Sequence, residues 1–537
     1  MNREPIVIVG AGPTGSLLGI ELARRGADVR ILEKAPAPPR ESRAGGVQSR
    51  TLELFARLGI VDDLLAAGNR VRAINYYSNT KPIFRVDFGY LDGPFPFMLH
   101  VPQYETQRVL DAHLERLGVS VERGVEVAGL AHDHAGVSVE TRSVRGEMQH
   151  IRAPYVAGCD GAHSAVRHQI GMPFEGQAYD WDWVGADVEV DWGYPESENH
   201  LFVSDEGVLA CLPYGGGRWR FITPRVQGNI GARPALDDMR ELVIRRGPAG
   251  TSIDNPSWLG SFRASRRSAP HYRQGRVFLA GDAVHIHSPA AGQGMNTGLG
   301  DAANLGWKLG LVATGRAPES LLDTYEPERA PVARRVIALT HTVMKVFDST
   351  TPARPLRNAA LPLLSRSGVV QRASARRVSQ YSISYRTGPL TPGAGGAKLG
   401  VAAGDRAPDV DGLLFGGKPT SLFGLLRGTG HTVFVCDTLG PEGLQRLTGE
   451  LAPFGFGVQI FRVAEQESSP EDAVLDARGG IRKRYGLGRG SVLAIRPDGY
   501  VGYLGKPDGL PVYLSQCLLP ERPAALWQSG FAEIGAA

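Results

Sequence analysis

Cysteine is scarce in this sequence: Cys159, Cys211, Cys436 and Cys517 are the only four in 537 residues. No two stand in a CxxC spacing. That argues against a disulfide framework, a zinc ribbon or a dithiol redox centre, and it suits a reducing cytoplasm. Long apolar runs are missing too, and no stretch approaches the ~20 residues that a membrane span needs. Pro5 to Ala23 is nearly uncharged, but Gly and Pro interrupt it at turn-forming spacing and no cleavage-site pattern follows. The excess of charge is small, formally +4, and it is spread along the chain, so no nucleic-acid or polybasic membrane footprint shows. Internal repeats and low-complexity tracts are lacking. The expectation is a soluble, unexported, cytoplasmic protein of two or three domains, since this length exceeds what one core serves.

What is present begins as β-α-β. Ile6-Val7-Ile8-Val9 suits a strand buried on both faces. Thr14 to Arg25 has helical spacing, Gly26 ends it, and Asp28 to Glu33 is the next strand. Helices are predicted over Ser49 to Leu58 and Gln103 to Leu117, with a strand at Val119 to Glu122. Residues 177 to 263 change texture. Short alternating stretches such as Val184 to Val190 and Trp219 to Thr223 predict an inserted antiparallel sheet. The α/β pattern returns with a strand at Arg276 to Ala280 and a long helix from Met295 to Thr314, and helical character continues to about residue 380. Gly388 to Gly396 reads as a linker to a further small domain. The expected division is 1–176 with 264–390, 177–263, and 397–537.

Gly10-Ala11-Gly12-Pro13-Thr14-Gly15 lies between the first strand and its helix. Gly10 permits the tight turn, Gly12 lets the backbone approach a pyrophosphate, and Gly15 lets the helix pack close to the strand. The helix start offers free N–H groups and a partial positive charge to phosphates. Glu33 ends the second strand, 23 positions after Gly10, where a carboxylate accepts bonds from ribose hydroxyls and disfavours a 2′-phosphate. The dinucleotide held here is therefore FAD or NAD(H).

Two further segments favour flavin. In Gly158-Cys159-Asp160-Gly161, a sharp turn follows a strand, Ser164 is placed to cap the next helix, and Arg167 lies on its first turns. In the segment from Gly281-Asp282 to Asn296, a strand ends at Asp282, which can accept a bond from a ribitol hydroxyl. A loop through Pro289, Gly292 and Gly294 then enters a helix at Met295-Asn296. A helix start aimed at a reduced flavin stabilises its negative charge by about 0.3–2 kcal/mol. His285 and His287 form an HxH, but no third ligand at metal-binding spacing is evident, so no metal is expected.

With all three motifs in order, residues 4 to 385 resemble the class A FAD-dependent aromatic hydroxylases of the para-hydroxybenzoate hydroxylase fold. The likeness is strongest to the larger bacterial members acting on polyketides or phenols. The resemblance implies a Rossmann-type FAD-binding domain of α/β class with an inserted antiparallel β-sheet substrate domain. From about Gly404 onward the chain resembles the thioredoxin-like α/β domain of those members, without CxxC, for which a structural role is expected. Carried over position by position, the cofactor-binding residues are Gly10, Gly12, Pro13, Thr14, Gly15, Glu33, Lys34, Arg43, Gln103, Val127, Asp160, Asp282, Pro289, Gly292, Gly294, Met295 and Asn296.

The activity implied is an NAD(P)H-consuming monooxygenase, NADPH favoured as the transient reductant. FAD is reduced, O2 adds at its C4a position, and the hydroperoxide hydroxylates a phenolic or polycyclic aromatic ring. No charged triad is required; Arg43, His287 and Pro289 are the catalytic candidates. The middle sheet should roof the pocket, with Tyr77, Phe88, Phe95, Met98, Phe202, Leu212, Trp219 and Phe221 as candidate lining. Trp181-Asp182-Trp183 is similar to the WxW of flavin-dependent halogenases, but Val184-Gly185 departs from that pattern, so both tryptophans are read as sheet residues. Baeyer–Villiger oxygenation of a polycyclic ketone and a non-catalytic flavin-binding assembly role are the alternatives, and a monomer or homodimer is expected.

Overall fold

The computed structural model describes residues 4–38, 44–225, 231–288, 292–346, 354–391, 400–436, 439–466 and 473–520. Ile6–Val9 is apolar throughout because both its faces are covered. It lies parallel to Val156–Gly158 on one side and Val29–Glu33 on the other. Val277–Leu279 and Val121–Arg123 extend the parallel sheet, and Arg273–Gln274 adds an antiparallel edge. Four adjacent parallel strands therefore end side by side, at Leu279, Gly158, Val9 and Glu33. The three glycine-bearing loops and the acidic residue leave the same sheet edge, the usual place for a ligand in such sheets.

Helices Pro13–Ala23 and Gly294–Ala313 pack against each other over this sheet. The contact is too close for side chains on both partners. A Cβ at Gly306 would come within 2.5 Å of the Glu21 Cβ, and one at Gly310 within 2.8 Å of the Arg25 Cδ. A three-stranded antiparallel sheet of Val125–His132, Val137–Ser143 and Met148–Ala153 flanks the FAD-type sheet.

The second large sheet has eight strands and draws on more of the chain than 177–263. Glu175–Val190, Glu198–Ser204, Gly207–Gly215, Arg218–Arg225 and Ile253–Ser268 are joined by Ala73–Ser78 and Lys81–Asp87 at one edge and by His285–Ile286 at the other. The early strands escape a reading by contiguity because Ala73–Ser78 pairs in parallel with Glu198–Ser204, more than a hundred residues downstream. Helix Leu236–Arg246 closes one face of this sheet, burying Met239 and Val243 against Phe202, Trp219 and Phe221.

After helices Tyr325–Val346, Arg354–Ser365 and Gly368–Val378 the chain reaches a seven-stranded mixed sheet centred on His431–Cys436. Leu390 and Thr391, in the expected linker, are buried, Leu390 beside Trp307 and Leu321; residues 392–396 of it lie outside the described ones. Among the described residues no helix is long and apolar enough to cross a membrane. All four cysteines are buried.

The C-terminal sheet is fastened to the first domain by buried charge. Arg496 donates to both oxygens of Glu328 at 2.7 and 2.8 Å, and Lys308 donates to the same carboxylate at 2.8 Å. Asp498 receives Arg496, Asn304 and Trp307. Arg406 binds Glu53 through two nitrogens, and Glu53 also receives Arg50 at 2.8 Å. Burial would raise the Glu328 carboxyl, but the Arg496 and Lys308 cations outweigh it and hold the group well below the usual carboxylate range. Breaking a buried pair strands the surviving charge, which costs about 3–5 kcal/mol. Glu328→Leu is expected to lower unfolding stability by about that amount, because it strands Lys308 and leaves Arg496 with Asp498 alone. Urea unfolding of the purified protein measures it.

Candidate functional site

Gly10 has a φ of +99°, and a Cβ there would lie 2.6 Å from the Cys159 carbonyl oxygen. A Cβ at Gly15 would lie 2.0 Å from the Gly10 oxygen. These two glycines let three segments of backbone meet. Gly12 is different: a Cβ there would touch nothing within 4 Å, because it faces the cavity. Gly12 precedes the helix with no side-chain cap, and Pro13 opens it. The first-turn N–H groups are thus left for a phosphate. Glu33 has its two oxygens aimed by the backbone, Oε2 accepting from Ala11 N and Oε1 from Ala35 N, each at 2.9 Å. Each oxygen keeps a lone pair for a ribose hydroxyl. Lys34 is exposed beyond the strand end.

Asp160 follows on the neighbouring strand. Its Oδ2 accepts from Val166 N at 3.2 Å, and its Oδ1 is buried with no hydrogen-bond partner. Ser164 caps the helix, accepting from Arg167 N at 2.9 Å. Arg167 does not point at a phosphate site: its guanidinium donates to Ala283 O and Ala162 O at 2.8 Å each and tethers the third loop to this turn.

The third loop hangs on Asp301. This buried carboxylate accepts from Gly281 N at 3.1 Å, bonds His285 Nε2 at 2.7 Å, and accepts from Arg329 Nε at 2.7 Å. His285 is therefore committed to the helix, and the HxH pair diverges. Asp282, Gly292, Gly294 and Met295 line the cavity. A Cβ at Gly294 would meet only the His287 ring, at 3.8 Å, and one at Gly292 only Gln48 Nε2, at 3.9 Å. Open space in front of Gly12, Gly292 and Gly294 is what a dinucleotide and a flat ring require, so these residues fit FAD.

Asn296, expected among the cofactor-binding residues, has its side chain engaged by the protein. Its Nδ2 donates to Gly46 O and Gly292 O, and its Oδ1 accepts from Gln48 N and Thr51 Oγ1, all within 2.9 Å. With two donors and two acceptors spent, the amide braces the loop. Gln103 lines the cavity while its Oε1 accepts from Ala44 N at 3.0 Å. Val127 is buried in the flanking sheet and does not line the cavity. Arg43 and Pro289 lie outside the described residues.

The cavity encloses about 1140 Å³ between these loops and one face of the eight-stranded sheet. Of the expected lining, Met98 and Leu212 face it. Tyr77, Phe202, Trp219 and Phe221 do not: they form the core on the far face, beneath helix Leu236–Arg246. Phe88 packs with Val86 and Tyr381, and Phe95 belongs to the FAD-domain core. The physical reason is strand alternation, by which a shift of one residue exchanges the faces. Tyr76, Leu201, Arg220 and Ile222, the immediate neighbours of the aromatics chosen, are the residues turned inward. Trp181 and Trp183 also line the cavity, so they are more than sheet filling. Their alternation with Asp182 carried that signal.

Three polar groups on this wall were not anticipated as lining. Arg220 is buried and held bidentately by Asp187 at 2.6 and 2.7 Å. His100 Nδ1 meets Pro213 O at 3.1 Å, and burial lowers its pKa to about 4, only partly opposed by that bond. Asn199 completes the set, 3.4 Å from His100 Nε2. His287 Nδ1 donates to Ser288 O at 2.7 Å, which leaves Nε2 as the unprotonated nitrogen, buried and without a partner among the described residues. Burial holds this imidazole neutral as well, with a pKa of about 4.

A family model described as FAD binding domain matches residues 3–340. A 6-methylpretetramide 4-monooxygenase from Streptomyces rimosus is 33% identical over 548 residues, covering 97% of this chain and 94% of its own length. A pentachlorophenol 4-monooxygenase from Sphingobium chlorophenolicum is 31% identical over 509 residues, covering 92% of this chain and 93% of its own. Among solved structures, the anhydrotetracycline hydroxylase from Streptomyces rimosus superposes with a TM-score of 0.80 at 30% identity, covering 97% of this chain and 100% of that one.

Gly12→Val is expected to leave the apoprotein folded and to weaken FAD at least about tenfold, roughly 1.4 kcal/mol, because the new side chain enters only ligand space. Flavin titration and thermal melting of the same samples separate the two effects. A second outcome concerns acid. A histidine held below its ordinary value near 6.5 binds its proton more readily when unfolded, so stability falls as pH drops from about 6.5 toward 4. His287→Gln should make the fall of melting temperature over that interval shallower than in the parent protein.

Proposed function

This chain belongs to the class A FAD-dependent aromatic hydroxylases, and from that premise we propose that its substrate is an elongated, polycyclic phenol. It is a flavin-dependent monooxygenase of aromatic compounds. When bound, FAD supplies the activation of O2 and the transfer of one oxygen atom to the substrate ring.

The chain's own residues hold, orient and shield. Gly12 and the start of helix Pro13–Ala23 would take the pyrophosphate, Glu33 the ribose, Asp282 the ribitol chain, and the backbone from Gly292 to Asn296 the flavin ring. Met98, Leu212, Ile222, Trp181 and Trp183 present apolar surface to the substrate and displace water from the reacting edge. His287 Nε2, neutral at pH 7 and beside Gly294, accepts a hydrogen bond from the phenolic hydroxyl and so orients the ring at the reacting edge. The observation that carries the reading is this hydrogen-bond-accepting nitrogen at the junction of the cofactor loops and a long cavity. The polycyclic and phenolic substrates named for the relatives support it. NADPH is the reductant in this reading, and the enzyme works in the cytoplasm as a monomer or homodimer. The C-terminal domain, thioredoxin-like but without a dithiol, holds the structure together.

A panel of phenols and polycyclic phenols, scored by stimulated NADPH oxidation and followed by NMR of the product, tests the reading. A hydroxylated ring is expected. A ring-expanded lactone would overturn it in favour of Baeyer–Villiger chemistry, and no stimulation by any compound would favour an assembly role. Running the active compound with NADH in parallel tests the choice of reductant. His287→Leu, which removes this acceptor, is expected to lower kcat/KM about tenfold, the worth of one substrate hydrogen bond.

A further inference from the structure

The part of the cavity beside Gly207 and Pro224 carries a buried cation with no carboxylate partner among the described residues. Arg246 ends the helix that covers the back of the eight-stranded sheet, and its guanidinium lines the cavity. Only 8% of the residue is exposed. Nη1 donates to the Thr223 hydroxyl and to the Pro224 carbonyl. Nε is buried and donates to nothing. Among the described residues no carboxylate pairs with Arg246. The acids at this end are engaged elsewhere, Glu206 with Arg245 and Asp205 with Arg354. Burial and the Arg245 charge both disfavour the Arg246 cation, and Glu206 opposes them only in part.

A charge withdrawn from water without a partner is costly, and proteins keep one where a ligand supplies the partner. Arg220, the other arginine on this wall, makes the contrast: Asp187 neutralises it fully. Gly207 completes the site. Its φ of +123° excludes a side chain, and the missing Cβ would lie 3.3 Å from the Arg246 Cζ, so the guanidinium is left uncovered. Lys345 also lines the cavity.

The spacing matches a long ligand. Leu212, Ala210 and Val208 point into the cavity along one strand, and Arg220, Ile222 and Pro224 along its neighbour. Each rail covers four residue steps, about 13 Å at the rise of a β-strand. Leu212 and Arg220 lie at the end nearer Met98 and Gly46; Val208 and Pro224 lie beside Arg246.

We propose that Arg246 is a specificity subsite that binds an anionic oxygen, a carboxylate or an ionised enol, on the end of the substrate farthest from the carbon that is oxygenated. The inference rests on reading the cavity as a site for an elongated aromatic system. It also gives the site a direction, because the acid end is drawn to Arg246 and the opposite ring is presented to Gly294 and His287.

The test uses the FAD-loaded enzyme and two probes, a dihydroxyanthraquinone carboxylate and the same ring system with methyl in place of the carboxylate. Binding is read from the change each causes in the flavin absorbance, without turnover. The carboxylate should bind at least about tenfold more tightly to the parent enzyme, the usual worth of a hydrogen bond to a charged group. Arg246→Met should abolish that preference and leave the methyl compound within about twofold of its parent affinity. Arg246→Gln, which can still bond Thr223 and Pro224, should do the same if the methionine variant proves unstable. Arg246→Lys should restore part of the preference. A preference that survives both neutral variants, or equal binding of the two probes by the parent enzyme, overturns the inference and leaves the aromatic-site reading standing. Failure of both probes to bind the parent enzyme overturns both.

Discussion

The buried carboxylate of Asp301 is the contact on which the cofactor site depends. It sits in the long helix yet bonds three points outside its own turn: the start of the third loop at Gly281, the loop's middle at His285, and the neighbouring helix through Arg329. Arg329 reaches on to Thr297 O and the Tyr385 hydroxyl. Burial would raise the Asp301 carboxyl, but Arg329 and then His285 outweigh it and keep it ionised. Asp301 ties the start of the segment that carries Asp282 to the helix that follows. Asn296 does the same at the far end by joining Gly46, Gln48, Thr51 and Gly292.

Through Asn296 that brace passes to the C-terminal domain. Thr51 lies on helix Ser49–Leu58, and the same helix carries Arg50 and Glu53, which are bound by Asp498 O and Arg406. A domain with no cysteine pair thus contributes to the cofactor site by immobilising the helix that backs it. Buried ion pairs are poor sources of net stability but strong determinants of geometry, and the need here is geometric. The flavin ring must meet a cavity whose other wall belongs to a different sheet.

Local motifs were legible in the sequence because their physics is local. A turn that only glycine can make, a helix start that binds phosphate, and a carboxylate at a strand end each occupy a few consecutive residues. Gly10, Gly12, Gly15, Glu33, Asp160, Asp282 and Gly294 accordingly meet along one sheet edge. Strand positions read from alternation at Val184 to Val190 and Trp219 to Thr223 held as well. The face each strand turns inward was not legible. Tyr77, Phe202, Trp219 and Phe221 were chosen for size and apolarity, which describe a core as well as a pocket, and helix Leu236–Arg246 made them core.

By itself, then, the sequence determined the cofactor class, the order of elements and the edge where the chemistry gathers, since each depends on spacing along the chain. Tertiary structure alone decided which side chains face the substrate. Ala73–Ser78 joins a sheet assembled mostly from residues beyond 175, and Arg246 reaches the cavity from a helix on the other side of that sheet. Such neighbours are set by strand register and by the burial of the larger aromatics, which are properties of the whole packed molecule and leave no periodic trace in the chain.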